Sequence, residues 1–127
     1  MARVIIPKEI VRRISRHQGL SKNLTAFVEA CVEDRTPPRI YKRSGIAADG
    51  REFPPYLELN LHHHHLHANG DPLLITQHVD DCIYGVGLAR HGDYFHGDKM
   101  QWLKEHAHRI NWTGLGWLRE SVLNHEP

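Results

Sequence analysis

Cysteine and long apolar runs are the two things this 127-residue chain most clearly lacks. Its two cysteines, Cys31 and Cys82, form at most one disulfide and show no metal-ligand spacing, which excludes a disulfide-rich scaffold. No apolar run approaches the roughly 20 residues that a membrane-spanning helix needs, and residues 4–6 are too short for the apolar core of a signal peptide. We therefore expect a cytoplasmic protein with no membrane partner.

The chain also lacks a large net charge, which is +1 at pH 7. The distribution is uneven, because residues 1–45 carry ten Lys and Arg against four Asp and Glu. This excess indicates either a phosphate-facing surface or an ordinary solvated helical face. The length fits one domain with its own core, over residues 1–127.

The periodicity of apolar residues predicts an α+β fold with a mainly antiparallel sheet and the order β-α-α-β-β-β-α. Ser21 is a favourable N-cap for the second helix. The apolar stripe of that helix marks it as core, with Cys31 as a small buried hydrophobe. The predicted strands are residues 2–6, 56–67, 72–79 and 82–91. The first predicted helix is 8–18, the second runs from Ser21 until Thr36-Pro37-Pro38 ends it, and the third runs from Asp98 to Ile110. Residues 39–55 are predicted to be irregular, with turns at Asn69-Gly70-Asp71 and Asp80-Asp81.

The abundant residue is histidine, with twelve in all and a run over residues 62–65 that is followed by His67. Alternation along a strand places His63, His65 and His67 on the face of Leu57, Leu59 and Leu61. His62, His64 and Leu66 then lie on the opposite face, and a single bulge reverses the assignment. In the third long strand, the same rule places Tyr84, Val86 and Leu88 on one face and Gly85, Gly87 and Ala89 on the other.

Three interpretations of the histidine run remain open from the residues alone. The first is a polar sheet face with some core histidines. The second is a metal site, since His at i and i+2 on a strand share a face, although no third ligand stands at a recognisable spacing. The third is metal-independent RNA cleavage, in which histidines supply the base and the acid. Arg90 would then bind the phosphate and Tyr94 would stack on a base.

Three segments resemble a known family. The first segment is the second helix with the chain that leaves it, Leu24-Thr25-Ala26-Phe27 and then Pro37-Pro38-Arg39-Ile40-Tyr41-Lys42-Arg43. The second is the strand that ends in His63-His64-His65-Leu66. The third runs from Ile83-Tyr84 through His91, and Asp98-Lys99-Met100 then opens a helix. In their order and spacing, over roughly residues 20–110, they resemble the YafO-like toxins of bacterial type II toxin–antitoxin systems. That family lies within the RelE-like group of ribosome-dependent mRNA interferases.

The resemblance implies a single RelE-like domain, with residues 112–127 as a C-terminal extension. It also implies cleavage of mRNA on the ribosome, no catalytic metal, no cofactor and a cognate antitoxin as partner. The residues assigned to catalysis are His63, His65, Arg90 and His91, and those assigned to RNA binding are Arg43, Tyr94 and Lys99. As simpler alternatives, Tyr94 is a sheet-edge aromatic and Lys99 an exposed first-turn residue. The alternative functions are a non-catalytic partner-binding protein of the same fold and a histidine-rich metal-binding protein.

Overall fold

The computed structural model describes residues 3–16, 19–36, 41–43, 52, 57–67, 72–90 and 111–112. Two helices pack on one face of a mixed sheet, which confirms the predicted α+β class. The elements in chain order are β1 (Arg3–Ile5), α1 (Lys8–Ser15), α2 (Leu20–Val32), β2 (Tyr41–Arg43), β3 (Leu61–His65), β4 (Leu73–Val79), β5 (Cys82–Ala89) and β6 (Asn111–Trp112).

The strands are arranged in the order β1-β5-β4-β3-β2, and β6 also pairs with β5. Only the β1–β5 pair is parallel among the described strands, so the sheet is mainly antiparallel as predicted. The β4–β5 turn at Asp80-Asp81 is confirmed by the pairing of Val79 with Cys82. Asp80 has a φ of 55°, a conformation that Asp tolerates better than most residues. The predicted helix from Asp98 to Ile110 and the predicted turn at Asn69-Gly70-Asp71 lie outside the described residues.

The prediction of Ser21 as the N-cap of α2 is wrong, because the cap is Gly19. Gly19 has a φ of 86°, a left-handed conformation that glycine adopts at no steric cost, so the chain reverses there and the helix begins at Leu20. The predicted apolar stripe is confirmed at Leu24, Phe27 and Cys31, all of which are buried in the core.

The prediction of one strand over residues 56–67 is also wrong. Residues 57–60 form a helical turn in which the Asn60 backbone N–H donates to the Leu57 carbonyl at 3.0 Å. Asn60 has a φ of 51°, so the extended strand begins only at Leu61. The Asn60 amide donates to the His78 carbonyl at 3.1 Å, and the His78 backbone N–H donates to the Asn60 carbonyl at 3.2 Å. These two bonds fix the start of β3 against β4.

The segment over residues 39–55 is not irregular throughout, because it contains the short strand β2. In the antiparallel β2–β3 register, Tyr41 stands opposite His64, Lys42 opposite His63 and Arg43 opposite His62. The histidine strand β3 is therefore an interior strand of the sheet, with β2 and β4 on its two sides.

The predicted face assignment of β5 is wrong beyond Gly85. Thr76 pairs with Gly85 but Ile75 pairs with Gly87, so Val86 is an extra residue in β5, as in a β-bulge. Leu88 therefore joins the helix-facing core with Ile83, instead of sharing a face with Tyr84. A Cβ on Gly85 would lie 3.0 Å from the Ile6 side chain, so the small residue lets the segment before α1 approach the sheet.

No helix within the described ranges is long and apolar enough to span a membrane.

Candidate functional site

The histidines of β3 point alternately to the two faces of the sheet. His64 lies on the helix-facing side, because its ring contacts that of Phe27 of α2 at an interplanar angle of 37° and it pairs with Leu74 of the core cluster. Strand alternation places His62 on that face too, and His63 and His65 on the other face with Leu61. The predicted partition of the run is confirmed from Leu61 to His65, because the bulge lies in β5 and leaves β3 regular.

His63 and His65 are neighbours on the face away from the helices. Their ring centroids lie 5.6 Å apart, with the ring planes inclined at 57°. Both side chains are partly exposed. Across the sheet they pair with Ile75 and Leu73, which are almost completely buried. The two imidazoles therefore stand side by side next to apolar neighbours, and each keeps some access to solvent.

The helix-facing histidines occupy a different environment. His64 is completely buried, with its ring centroid 4.6 Å from that of Phe27. His62 stacks on His78 at 3.9 Å, and its Nε2 lies 3.3 Å from the Asn60 side-chain oxygen. Burial lowers the pKa of His78 below its usual value of 6.5, since a charged imidazole loses hydration there. Of these three histidines only His64 is fully buried, as the first interpretation of the run expects for some of them, whereas His62 and His78 are partly exposed.

Arg90 lies at the same end of the sheet as His65. β3 and β5 run in the same direction because both are antiparallel to β4. His65 pairs with Leu73, and Leu73 pairs with Ala89, the residue before Arg90. Two inter-strand spacings separate His65 from Ala89, roughly 10 Å between backbones. Arg90 is exposed and directly follows β5, whose last residue, Ala89, lies on the face of His65.

The register of β2 places two basic residues opposite the histidine strand. Arg43, which was predicted to bind RNA, stands opposite His62 in the backbone pairing. Lys42 is the residue opposite His63. Only the pairing of β2 with β3 reveals the position of Lys42. The predicted site residues His91, Tyr94 and Lys99 lie outside the described residues.

One hydrogen bond ties the C-terminal end of β3 to α2. The Asn23 side-chain amide donates to the carbonyl oxygen of Leu66, just after the histidine strand. The Leu66 backbone N–H donates to the Pro72 carbonyl at 3.2 Å, and the Leu66 side chain is completely buried. Together these contacts hold the end of β3 in place beside His65. Asn23 gave no signal in the sequence, because its partner is 43 residues away.

The described residues offer limited means of holding a metal. No group of three or more His, Cys, Asp or Glu side chains in these ranges is arranged to hold a metal ion. The pair His63 and His65 provides two imidazoles on one face, whereas a structural zinc site uses four protein ligands and a catalytic site three. Two neighbouring imidazoles can also exchange protons with a substrate placed beside them.

The chain matches no protein-family model, no curated protein and no solved structure.

Proposed function

We propose that this chain is the toxin component of a type II toxin–antitoxin system. It acts in the cytoplasm as a ribosome-dependent mRNA endoribonuclease with a RelE-like fold, and it is restrained by a cognate antitoxin. The proposal rests on the resemblance described above. One observation supports it most directly: His63 and His65 lie side by side, partly exposed, on the sheet face opposite the helices.

Metal-independent RNA cleavage needs one base and one acid at the same phosphate. A neutral imidazole removes the proton of the ribose 2′-hydroxyl, and its oxygen forms a new bond to phosphorus. The bond from phosphorus to the 5′-oxygen breaks, and an imidazolium donates a proton to that leaving oxygen. The products are a 2′,3′-cyclic phosphate and a free 5′-hydroxyl, so the two histidines exchange protonation states. An ordinary histidine titrates near neutral pH and can serve in either role.

Arg90 is the residue that we assign to the phosphate. It follows the row His65, Leu73 and Ala89 across the sheet, at the end where β3 and β5 both terminate. A guanidinium offers two parallel N–H donors to phosphate oxygens and stays charged at every working pH. Charge stabilisation of this kind acts on the transition state, in which negative charge accumulates on the phosphate oxygens. His91 keeps its proposed role in catalysis, and Arg43, Tyr94 and Lys99 keep theirs in RNA binding.

The test is cleavage of an end-labelled mRNA, with and without translating ribosomes, by the wild type and by His63→Gln, His65→Gln and the double variant. The matched control is His67→Gln, which alters an exposed histidine just outside β3. A chelator is added only to the free-RNA arm, because it would dissociate ribosomes. We expect cuts only with ribosomes, a large loss of rate in each single variant and wild-type rates in the control. General acid–base groups typically contribute about 10²–10⁴ in rate.

Other outcomes lead to other functions. Cuts on free RNA that survive the chelator would retain the ribonuclease but remove the ribosome. Cuts on free RNA that require a divalent ion would favour metal-dependent chemistry. The absence of any cleavage by a well-folded protein would contradict the ribonuclease proposal and favour a partner-binding protein of the same fold, since a fold alone does not determine a function.

A further inference from the structure

A row of cations lies on the exposed side of α1, away from the histidine site. We call Lys8, Arg12, Arg13 and Arg16 the α1 basic stripe; all four side chains are exposed. At 3.6 residues per turn, these positions fall within an arc of roughly 140° around the helix axis. The remaining arc carries Ile10 and Ile14, each only 1% exposed and packed into the core. The burial of those two isoleucines therefore fixes which side of α1 faces solvent.

The stripe carries one compensating charge, since Glu9 lies within the same arc, three and four residues before Arg12 and Arg13. None of the four cations forms an ion pair with another described residue, whereas Arg35, outside the stripe, pairs with Glu33. Glu9 is the only acidic residue of α1 and lies in its first turn. Like charges at i and i+4, as in Lys8, Arg12 and Arg16, disfavour a helix. The helix dipole favours the cations near the C-terminus of α1 but disfavours Lys8 at its first residue.

We infer that the α1 basic stripe is a docking surface for the phosphate backbone of structured RNA, separate from the site where RNA would be cut. Three of its four members are arginines, whose planar donors suit phosphate oxygens. Residues at i and i+4 lie about 6 Å apart along the helix axis, so the charges repeat regularly along one line. The choice of RNA over other polyanions rests on the proposed function.

A membrane surface and an acidic protein are less suited to the stripe. A helix that lies on lipid needs an apolar face to bury, and the isoleucines of α1 are already in the core, which leaves only Val11 exposed. Recognition of an acidic protein favours specific geometry at each pair, whereas an unpaired row of cations suits a uniform polyanion. Both partners are nevertheless included as probes in the test.

The stripe and the histidine site lie on opposite sides of the sheet. α1 packs on the face that carries Leu74, Ile83 and Leu88, and His63 pairs with Ile75 on the other face. One RNA segment therefore does not follow a straight path across both surfaces. Loss of the stripe should weaken docking and raise KM in the cleavage assay, with little change in kcat.

The experiment measures binding of the full chain to a fluorescent 2′-O-methyl RNA hairpin, which cannot be cleaved because it lacks the 2′-hydroxyl. Affinity is measured by anisotropy over a range of KCl concentrations. The variant Arg12→Gln/Arg16→Gln is compared with the control Lys22→Gln/Arg35→Gln, which removes the same charge from exposed positions outside α1. Anionic phosphatidylserine vesicles and polyglutamate are tested in parallel, and circular dichroism verifies folding.

We expect the stripe variant to lower the slope of log affinity against log salt by about two, since each phosphate contact contributes about 0.9. The loss of affinity at 0.1 M salt should then be roughly sixtyfold, or about eightfold per contact. The control should keep the wild-type slope to within about half a unit. If the double variant unfolds, Arg16→Gln alone, at the residue after α1, should lower the slope by about one.

Three results would overturn the inference: no RNA binding by the wild type, equal losses in the stripe and control variants, or stripe-dependent binding to vesicles or polyglutamate that equals or exceeds binding to RNA. The assay involves no cleavage, so its failure leaves the ribonuclease proposal to be judged separately. Conversely, a chain that docks RNA through the stripe but never cleaves it would contradict only the proposed catalysis.

Discussion

Acidification should destabilise the fold through the helix-facing histidines. His78 stacks on His62 at 3.9 Å, and burial lowers the pKa of His78 in the folded state. In the unfolded chain the same imidazole titrates near its ordinary value of 6.5. The unfolded state therefore binds the proton more tightly. The stability that a neutral His78 contributes is present above pH 6.5, and it is lost as the pH falls from 6.5 toward the lower folded-state pKa.

The size of this effect has a firm upper limit. If His78 stayed neutral in the folded state down to pH 5.5, the free energy of unfolding would fall by about 1.4 kcal/mol between pH 7.5 and 5.5. His78 is only partly buried, so solvent screening keeps the change below this limit. Charging His78 also places a cation against the His62 ring, and a second proton on His62 would add repulsion between like charges.

The assay is urea unfolding of the wild type and His78→Gln at several pH values between 5.5 and 7.5, followed by tryptophan fluorescence. We expect His78→Gln to be less stable at pH 7.5, because the ring stack is lost, yet to lose less stability on acidification than the wild type, by at most about 1.4 kcal/mol. His67→Gln, which leaves the stacked pair intact, should keep the wild-type pH dependence. An unchanged pH dependence in His78→Gln, with equal urea m-values, would refute the assignment of the acid sensitivity to His78.

Three further predictions concern the core around the histidine strand. Phe27→Ala should lower the free energy of unfolding in urea by about 3–5 kcal/mol, because the side chain is completely buried and contacts the His64 ring. A decrease below about 1 kcal/mol would contradict this packing. Asn23→Ala should lower the free energy of unfolding by about 1–3 kcal/mol, because it removes the hydrogen-bond donor to the Leu66 carbonyl. Amide hydrogen exchange should then become faster near residue 66, whereas exchange that becomes faster evenly over the chain would contradict a local role for this bond. Cys31 should resist iodoacetamide at pH 8 until the protein unfolds, because burial raises its pKa to about 11; peptide mapping that finds it labelled in the native state would contradict this.

Much of the fold follows from apolar periodicity, which a single sequence displays directly. The stripe through Leu24, Phe27 and Cys31 predicted α2, and the turn at Asp80-Asp81 predicted the β4–β5 hairpin. The partition of His63 from His64 followed from strand alternation alone. These features were predictable because each depends on residues that are close together in the chain.

The errors arose where a distant contact decides the local conformation. The alternation of Leu57, Leu59 and Leu61 fits a strand, yet the bonds between Asn60 and His78 turn the chain before Leu61. The strand β2 is only three residues long and depends on pairing with β3, so its own sequence carries little signal. The bulge at Val86 inserts one residue into β5, and a period of two cannot reveal such an insertion.

The candidate site, too, was predictable only where it depends on residues that are close together in the chain. His63 and His65 were predictable as a pair, because two residues on one strand face need no tertiary information. The position of Lys42 opposite His63, and the anchoring of Leu66 by Asn23, required the sheet register and the packing of α2. The separation of the α1 arginines from Ile10 and Ile14 followed from helical periodicity, and the burial of the two isoleucines confirms it.

The central claim is that His63 and His65 act as the acid and the base of RNA cleavage, and a pH–rate profile tests it most directly. Single-turnover cleavage of ribosome-bound mRNA is measured between pH 6 and 8.5 for the wild type, His63→Gln and His65→Gln. If the two histidines are the acid and the base, the rate of the wild type should be bell-shaped against pH. One variant should lose the low-pH limb, which reports the base, and the other should lose the high-pH limb, which reports the acid. Profiles of unchanged shape in both variants would contradict it.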